Sequence, residues 1–98
     1  MKVFISYSNS DGLDKAKMAH DALKKCEQTP WYFKGNVTLG YPYWKELTYR
    51  IRNWCDVFLY ISTRSSPSDG QEWEIAEALI AGKTKIVILD IHIDLEKV

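Results

Sequence analysis

Three acids, Glu72, Glu74 and Glu77, follow closely on Ser68, Asp69 and Gly70. Ser68 with Gln71, and Asp69 with Glu72, each have the spacing of a capping box, so a helix is predicted to start there. At its far end Gly82 can take a left-handed cap and Lys83 complements the negative end of the helix dipole, which leaves about three turns between. Ile75, Ala76, Leu79 and Ile80 are expected to form the buried face, with Glu74 on the side of Ala78 and Ala81. A carboxylate above small residues has room beside it, and the free N–H groups of a helix start favour its ionised form. Such a group can act as a nucleophile or stabilise a developing cation. Three acids at a helix N-terminus are also what an ordinary helix carries, so the elements that meet this helix have to decide between the two.

Those elements alternate. Residues 3–7 form a short, mostly apolar run that suits a strand buried on both faces, and residues 8–12 form a polar turn that can cap a helix. Leu13, Ala16, Ala19, Leu23 and Cys26 then recur at spacings of three and four, which predicts an amphipathic helix to about Glu27, with Pro30 ending the connection. Residues 31–37 read as a weaker strand, interrupted by Lys34 and Gly35, before a loop over 38–42. Trp44, Leu47, Ile51 and Trp54 mark a second helix whose stripe continues to Cys55. A strand over 57–61, the loop 62–67, the helix of Glu74 and a strand over 85–91 complete the order.

Alternating strands and helices predict a parallel sheet of four to five strands with helices on both faces, a flavodoxin-like three-layer α/β fold. In such a sheet the loops after the strands gather along one edge, where ligands bind. Residues 6–11, 38–44, 62–74 and 90–94 are therefore expected to meet, with Glu74 among them.

With 98 residues the chain makes one domain over 1–98, and 46% hydrophobic residues supply its core. Thirteen basic and thirteen acidic side chains give no net charge, so no whole-domain field draws it to nucleic acid or to anionic lipid. The longest apolar runs, 57–61 and 86–89, fall far below a membrane span, and residues 1–5 are too short for a signal peptide. Cys26 and Cys55 lack metal-ligand spacing and read as reduced core residues of a cytoplasmic protein.

The segment FISYSNSD at residues 4–11 resembles the opening of TIR domains, and CDVFLYIS at 55–62 is similar to their third strand. EIAEALIAGK at 74–83 is similar to the helix that carries the catalytic glutamate of NAD-cleaving TIR domains, and this match places that glutamate at Glu74. One departure is specific. The tryptophan those domains usually carry about a turn earlier is replaced by Gly70, and the tryptophan here is Trp73. A glycine there resembles instead the nucleoside 2-deoxyribosyltransferases, which share the general fold and carry an aspartate and a glycine ahead of a nucleophilic glutamate; here Asp69 adjoins the glycine where that family leaves a gap. The last strand and helix common in TIR domains are expected to be missing.

Both resemblances imply cleavage of the N-glycosidic bond between ribose C1′ and a base, through a cation-like sugar that a carboxylate can trap or stabilise. NAD is then the substrate rather than a cofactor, in prokaryotic defence or signalling. Nicotinamide leaves neutral and needs no proton, whereas an ordinary nucleobase wants a second acid, for which Asp69 and Asp11 are available. Tyr7, Ser8 and Asp11 are expected opposite Glu74, reading ribose hydroxyls or phosphate, together with Ser68, Asp69 and Gly70; turn and cap chemistry accounts equally well for Asp11. Trp44 can stack on a base or begin the core stripe of its helix, and core is the favoured reading. A TIR-like module without chemistry, self-associating through residues 38–54 with Tyr41 and Tyr43, stays open as a third reading. Asp90, His92 and Asp94 alternate as a weak metal pattern, so no metal is assigned, and His20 is expected at the surface.

Overall fold

The computed structural model describes residues 1–33 and 43–90. The strand expected beyond Phe33, the loop 38–42 with Tyr41, and His92 and Asp94 lie outside the described residues.

Four parallel strands form the sheet: β1 (Lys2–Ser6), β2 (Thr29–Trp31), β3 (Val57–Ser62) and β4 (Ile86–Asp90), in the order β2-β1-β3-β4. α1 (Leu13–Lys25) joins β1 to β2; α2 (Tyr43–Tyr49), continued by a π-helical turn (Arg50–Trp54), precedes β3; and α3 (Asp69–Ile80) joins β3 to β4. This is the flavodoxin-like α/β arrangement the alternation predicts. The π-helical turn is closed by Cys55 N–H donating to the Arg50 carbonyl at 2.9 Å, and it leaves the Arg50 guanidinium between the rings of Trp31 and Trp54, 5.2 and 4.6 Å from their centroids. No helix among the described residues is long and apolar enough to cross a membrane.

Strand side chains alternate between faces, and β1 supplies both cores. Val3, Ile5 and Tyr7 pack with Ala16, Tyr32 and Ile61 on the α1 side. Phe4 packs with Trp31, Leu47, Ile51, Phe58 and Ala78 on the α2–α3 side. There its ring stacks on Phe58 with centroids 5.4 Å apart and planes 9° apart, and meets Trp31 at 5.4 Å. Pairs of this kind add about 1 kcal/mol each beyond buried area. By the same alternation Ser6, two residues after Phe4, faces α3.

Several local expectations are corrected. β2 begins at Thr29 and contains Pro30, which pairs with Val3 rather than ending a connection. Among the described residues β2 is an edge strand, so the missing proline N–H costs no ladder bond there. α3 buries Gln71, Glu74 and Ala78, while Leu79 and Ile80 are 63% and 71% exposed. The predicted face is thus rotated, because two polar residues on the inner face find partners there. Cys26 is exposed at the end of α1, whereas Cys55 is buried as expected. His20 is not a surface residue: its ring lies edge-on to Tyr32 at 5.2 Å, with the side chain 12% exposed.

Candidate functional site

Glu74 sits where the C-terminal end of β1 meets the start of α3. Its side chain is buried, the residue 8% exposed, and Oε1 accepts a 2.8 Å hydrogen bond from the hydroxyl of Ser6, which is fully buried. Burial pushes the Glu74 carboxyl up to about 7 against the Ser6 bond, which draws it down. Loss of water thus works against the ionised form that the helix start is expected to favour.

The start of α3 is fixed by one capping box rather than two. The Ser68 hydroxyl accepts from Gln71 N–H at 3.2 Å and Gln71 Oε1 accepts from Ser68 N–H at 3.2 Å. Gln71 is fully buried, and its amide donates to the Ile61 carbonyl at 2.8 Å while Oε1 also accepts from the Ser66 hydroxyl at 2.8 Å. Every polar group of this buried side chain works to hold the 62–68 loop on the helix, which satisfies the demand that buried amides be paired. Asp69 is the first helical residue, free of a capping role and exposed.

Two lobes of a cleft share Tyr43, Leu47, Asp69, Gly70 and Glu74. One, of about 450 Å³, is aromatic, lined by Tyr43, Trp44, Leu47 and Trp73 with Asp69, Gly70 and Glu74. The other, of about 370 Å³, is polar, and adds Tyr7, Ser8, Asn9, Ser10, Phe33 and Ser68 to Tyr43, Leu47, Asp69, Gly70 and Glu74. Among the described residues no Lys or Arg lines either lobe. The Tyr7 and Ser8 hydroxyls are buried without a partner among the described residues, and burial, with Tyr32 and Glu74 nearby, pushes the Tyr7 phenol up to about 12.

Of the residues singled out from sequence, Glu74, Tyr7, Ser8, Trp44, Ser68, Asp69 and Gly70 come together. Asp11 does not line either lobe. Its Oδ1 accepts from the Thr63 hydroxyl at 2.6 Å and Oδ2 from Ser65 N–H at 3.2 Å, tying the loop after β1 to the loop after β3. The Thr63 bond above all holds its carboxyl below the usual range. Trp44 is not core: it is 54% exposed, with the Lys45 ammonium 5.4 Å from its ring centroid. Gly70 opens onto space, for a Cβ there would meet nothing within 4 Å. Ser6 was missed, because nothing in a strand-terminal serine signals which side chain it will face; the alternation from Phe4 is the one clue.

A family model described as TIR domain matches residues 3–97. The chain belongs to the TIR domain family. No curated protein matches it. Among solved structures this TIR domain is similar to a 2-deoxyribosyltransferase from the psychrotolerant bacterium Bacillus psychrosaccharolyticus, at 18% identity and a TM-score of 0.70, covering 97% of this chain and 76% of the enzyme. It is also similar to a 2-deoxyribosyltransferase from Leishmania mexicana, at 19% identity and a TM-score of 0.67, covering 95% of this chain and 65% of that one. At these identities the likeness is one of fold.

Proposed function

We propose that this TIR domain cleaves the N-glycosidic bond of NAD, with Glu74 as the carboxylate that meets C1′ of the ribose bearing nicotinamide. The observation that carries the reading is that the buried Glu74 carboxylate lines both an aromatic lobe and a polar one. A planar base fits the first and a sugar the second, which brings the bond joining them to the carboxylate.

The chemistry follows from the charges. As the C1′–N bond breaks, its electron pair goes to the base and positive charge grows on the sugar, where an ionised carboxylate stabilises it or forms a C1′–O bond. A water then adds to C1′, restoring the free carboxylate if that bond has formed, and loses its proton to a base, for which the exposed Asp69 carboxylate is at hand. With its acidity near pH 7, Glu74 is about half ionised in the empty site at neutral pH. A cationic pyridinium ring beside it favours the charged form. The faces of Tyr43, Trp44 and Trp73 also attract a cationic ring.

A second reading, transfer or hydrolysis of 2-deoxyribosyl groups, is favoured by the absence of any Lys or Arg among the described lining residues that could hold a diphosphate. Base release from NAD and from a panel of deoxynucleosides, at high protein concentration, separates the two. Nicotinamide release is the expected result. Release from deoxynucleosides alone would support the second reading, and release from neither would contradict both.

A further inference from the structure

Ser8 follows β1 in a turn that has no slack. The Gly12 N–H donates to the Ser8 carbonyl at 2.8 Å, and a Cβ on Gly12 would stand 2.7 Å from that oxygen and 3.0 Å from Ser8 N. Only a glycine closes the turn so tightly, and the Ser8 backbone is fixed by it. The residue is fully buried, it is among those that line the polar lobe with Glu74, and its hydroxyl has no partner among the described residues. A buried hydroxyl left unpaired costs about 1–3 kcal/mol. The position therefore suits a hydroxyl that a ligand completes.

The lobe limits what that ligand group is. An anion is disfavoured, since Glu74 and Asp69 line the same space and no described Lys or Arg does. A base, on the reading proposed above, belongs to the aromatic lobe of Trp44 and Trp73. What remains is a group that both donates and accepts, and the hydroxyl of a bound sugar nearest the reacting carbon is the one on C2′. In a β-linked ribosyl compound that hydroxyl lies on the face opposite the base, from which a carboxylate approaches C1′.

We infer that the Ser8 hydroxyl pairs with the 2′-hydroxyl of the sugar and makes the site select ribosyl over 2′-deoxyribosyl compounds. The inference rests on the reading of Glu74 as the group that meets C1′. It assigns Ser8 a role in specificity and leaves bond cleavage to Glu74.

The test compares wild type and Ser8→Ala on NAD and on its analogue lacking the 2′-hydroxyl of the nicotinamide ribose. Because each substrate is compared with itself, the greater intrinsic lability of deoxyribosyl bonds cancels. Ser8→Ala should lower kcat/KM for NAD roughly tenfold to a hundredfold and leave the deoxy analogue almost unchanged. Equal losses on both would overturn the role. If wild type cleaves neither, the NAD reading falls, and binding of adenosine and 2′-deoxyadenosine to the Glu74→Gln protein decides the matter for Ser8. A preference for adenosine that adding Ser8→Ala erases would uphold the subsite; equal binding of the two, or no binding, would overturn it.

Discussion

The hydroxyl of Ser6 and Oε1 of Glu74 lie 2.8 Å apart, joining the end of β1 to the second turn of α3 across 68 residues of sequence. The bond occupies one oxygen of a carboxylate that is buried from water. It also opposes the burial that makes Glu74 a reluctant anion.

Removing it should therefore show in the pH profile. In Ser6→Ala the Glu74 carboxyl should climb above its value of about 7, moving the acid limb of base release to higher pH. Turnover at neutral pH should fall about tenfold, the worth of one hydrogen bond to a charged group. An acid limb unmoved in the variant would mean that Ser6 does not tune Glu74.

Stability should carry the same signature. Glu74 keeps its proton in the folded chain up to about pH 7, against an ordinary value of 4.5, so between these values the folded state binds more protons than the unfolded one. Stability then falls as pH rises through that window and levels off above it, a loss of about 3 kcal/mol. Glu74→Gln removes this loss and should melt at a higher temperature than wild type above pH 7. Asp11 and Asp56, whose carboxyls are held below the usual range, contribute the opposite slope at low pH, and the difference between the two proteins cancels it. Equal melting temperatures at pH 8 would contradict the burial argument.

Asp11 predicts a different kind of loss. Its carboxylate fastens Thr63 and Ser65 without lining the cleft, so Asp11→Ala should speed amide hydrogen exchange over residues 62–68 and lower turnover with every lining residue intact. Thr63→Val should act in the same direction, and the double variant should lose no more than the worse single one, as expected for one shared contact. Additive losses would show that the two side chains act separately.

The order and parallel pairing of the elements were legible because apolar runs and three-to-four spacings report backbone period, and the matching segments led to Glu74. The inner face of α3 was not, since its apolar residues run round the helix and Gln71 and Glu74 are buried by virtue of Ile61, Ser66 and Ser6, partners that no periodicity reveals. Pro30 misled because its cost depends on whether β2 is an edge strand, a property of sheet order. Trp44 misled in the opposite sense: its spacing fits the stripe, but the stripe begins beside an open cleft. The polar lobe assembles from residues 7–10, Phe33, Tyr43, Leu47, residues 68–70 and Glu74, segments far apart in sequence that the fold brings together.

The central claim is that the Glu74 carboxylate breaks the bond between base and sugar. It is tested most directly by single-turnover base release from NAD with wild type and Glu74→Gln, which keeps shape and removes the charge. The account predicts a loss of at least roughly a thousandfold in the variant, with the fold intact. Release retained to within about tenfold, the effect of one ordinary hydrogen bond, would contradict it.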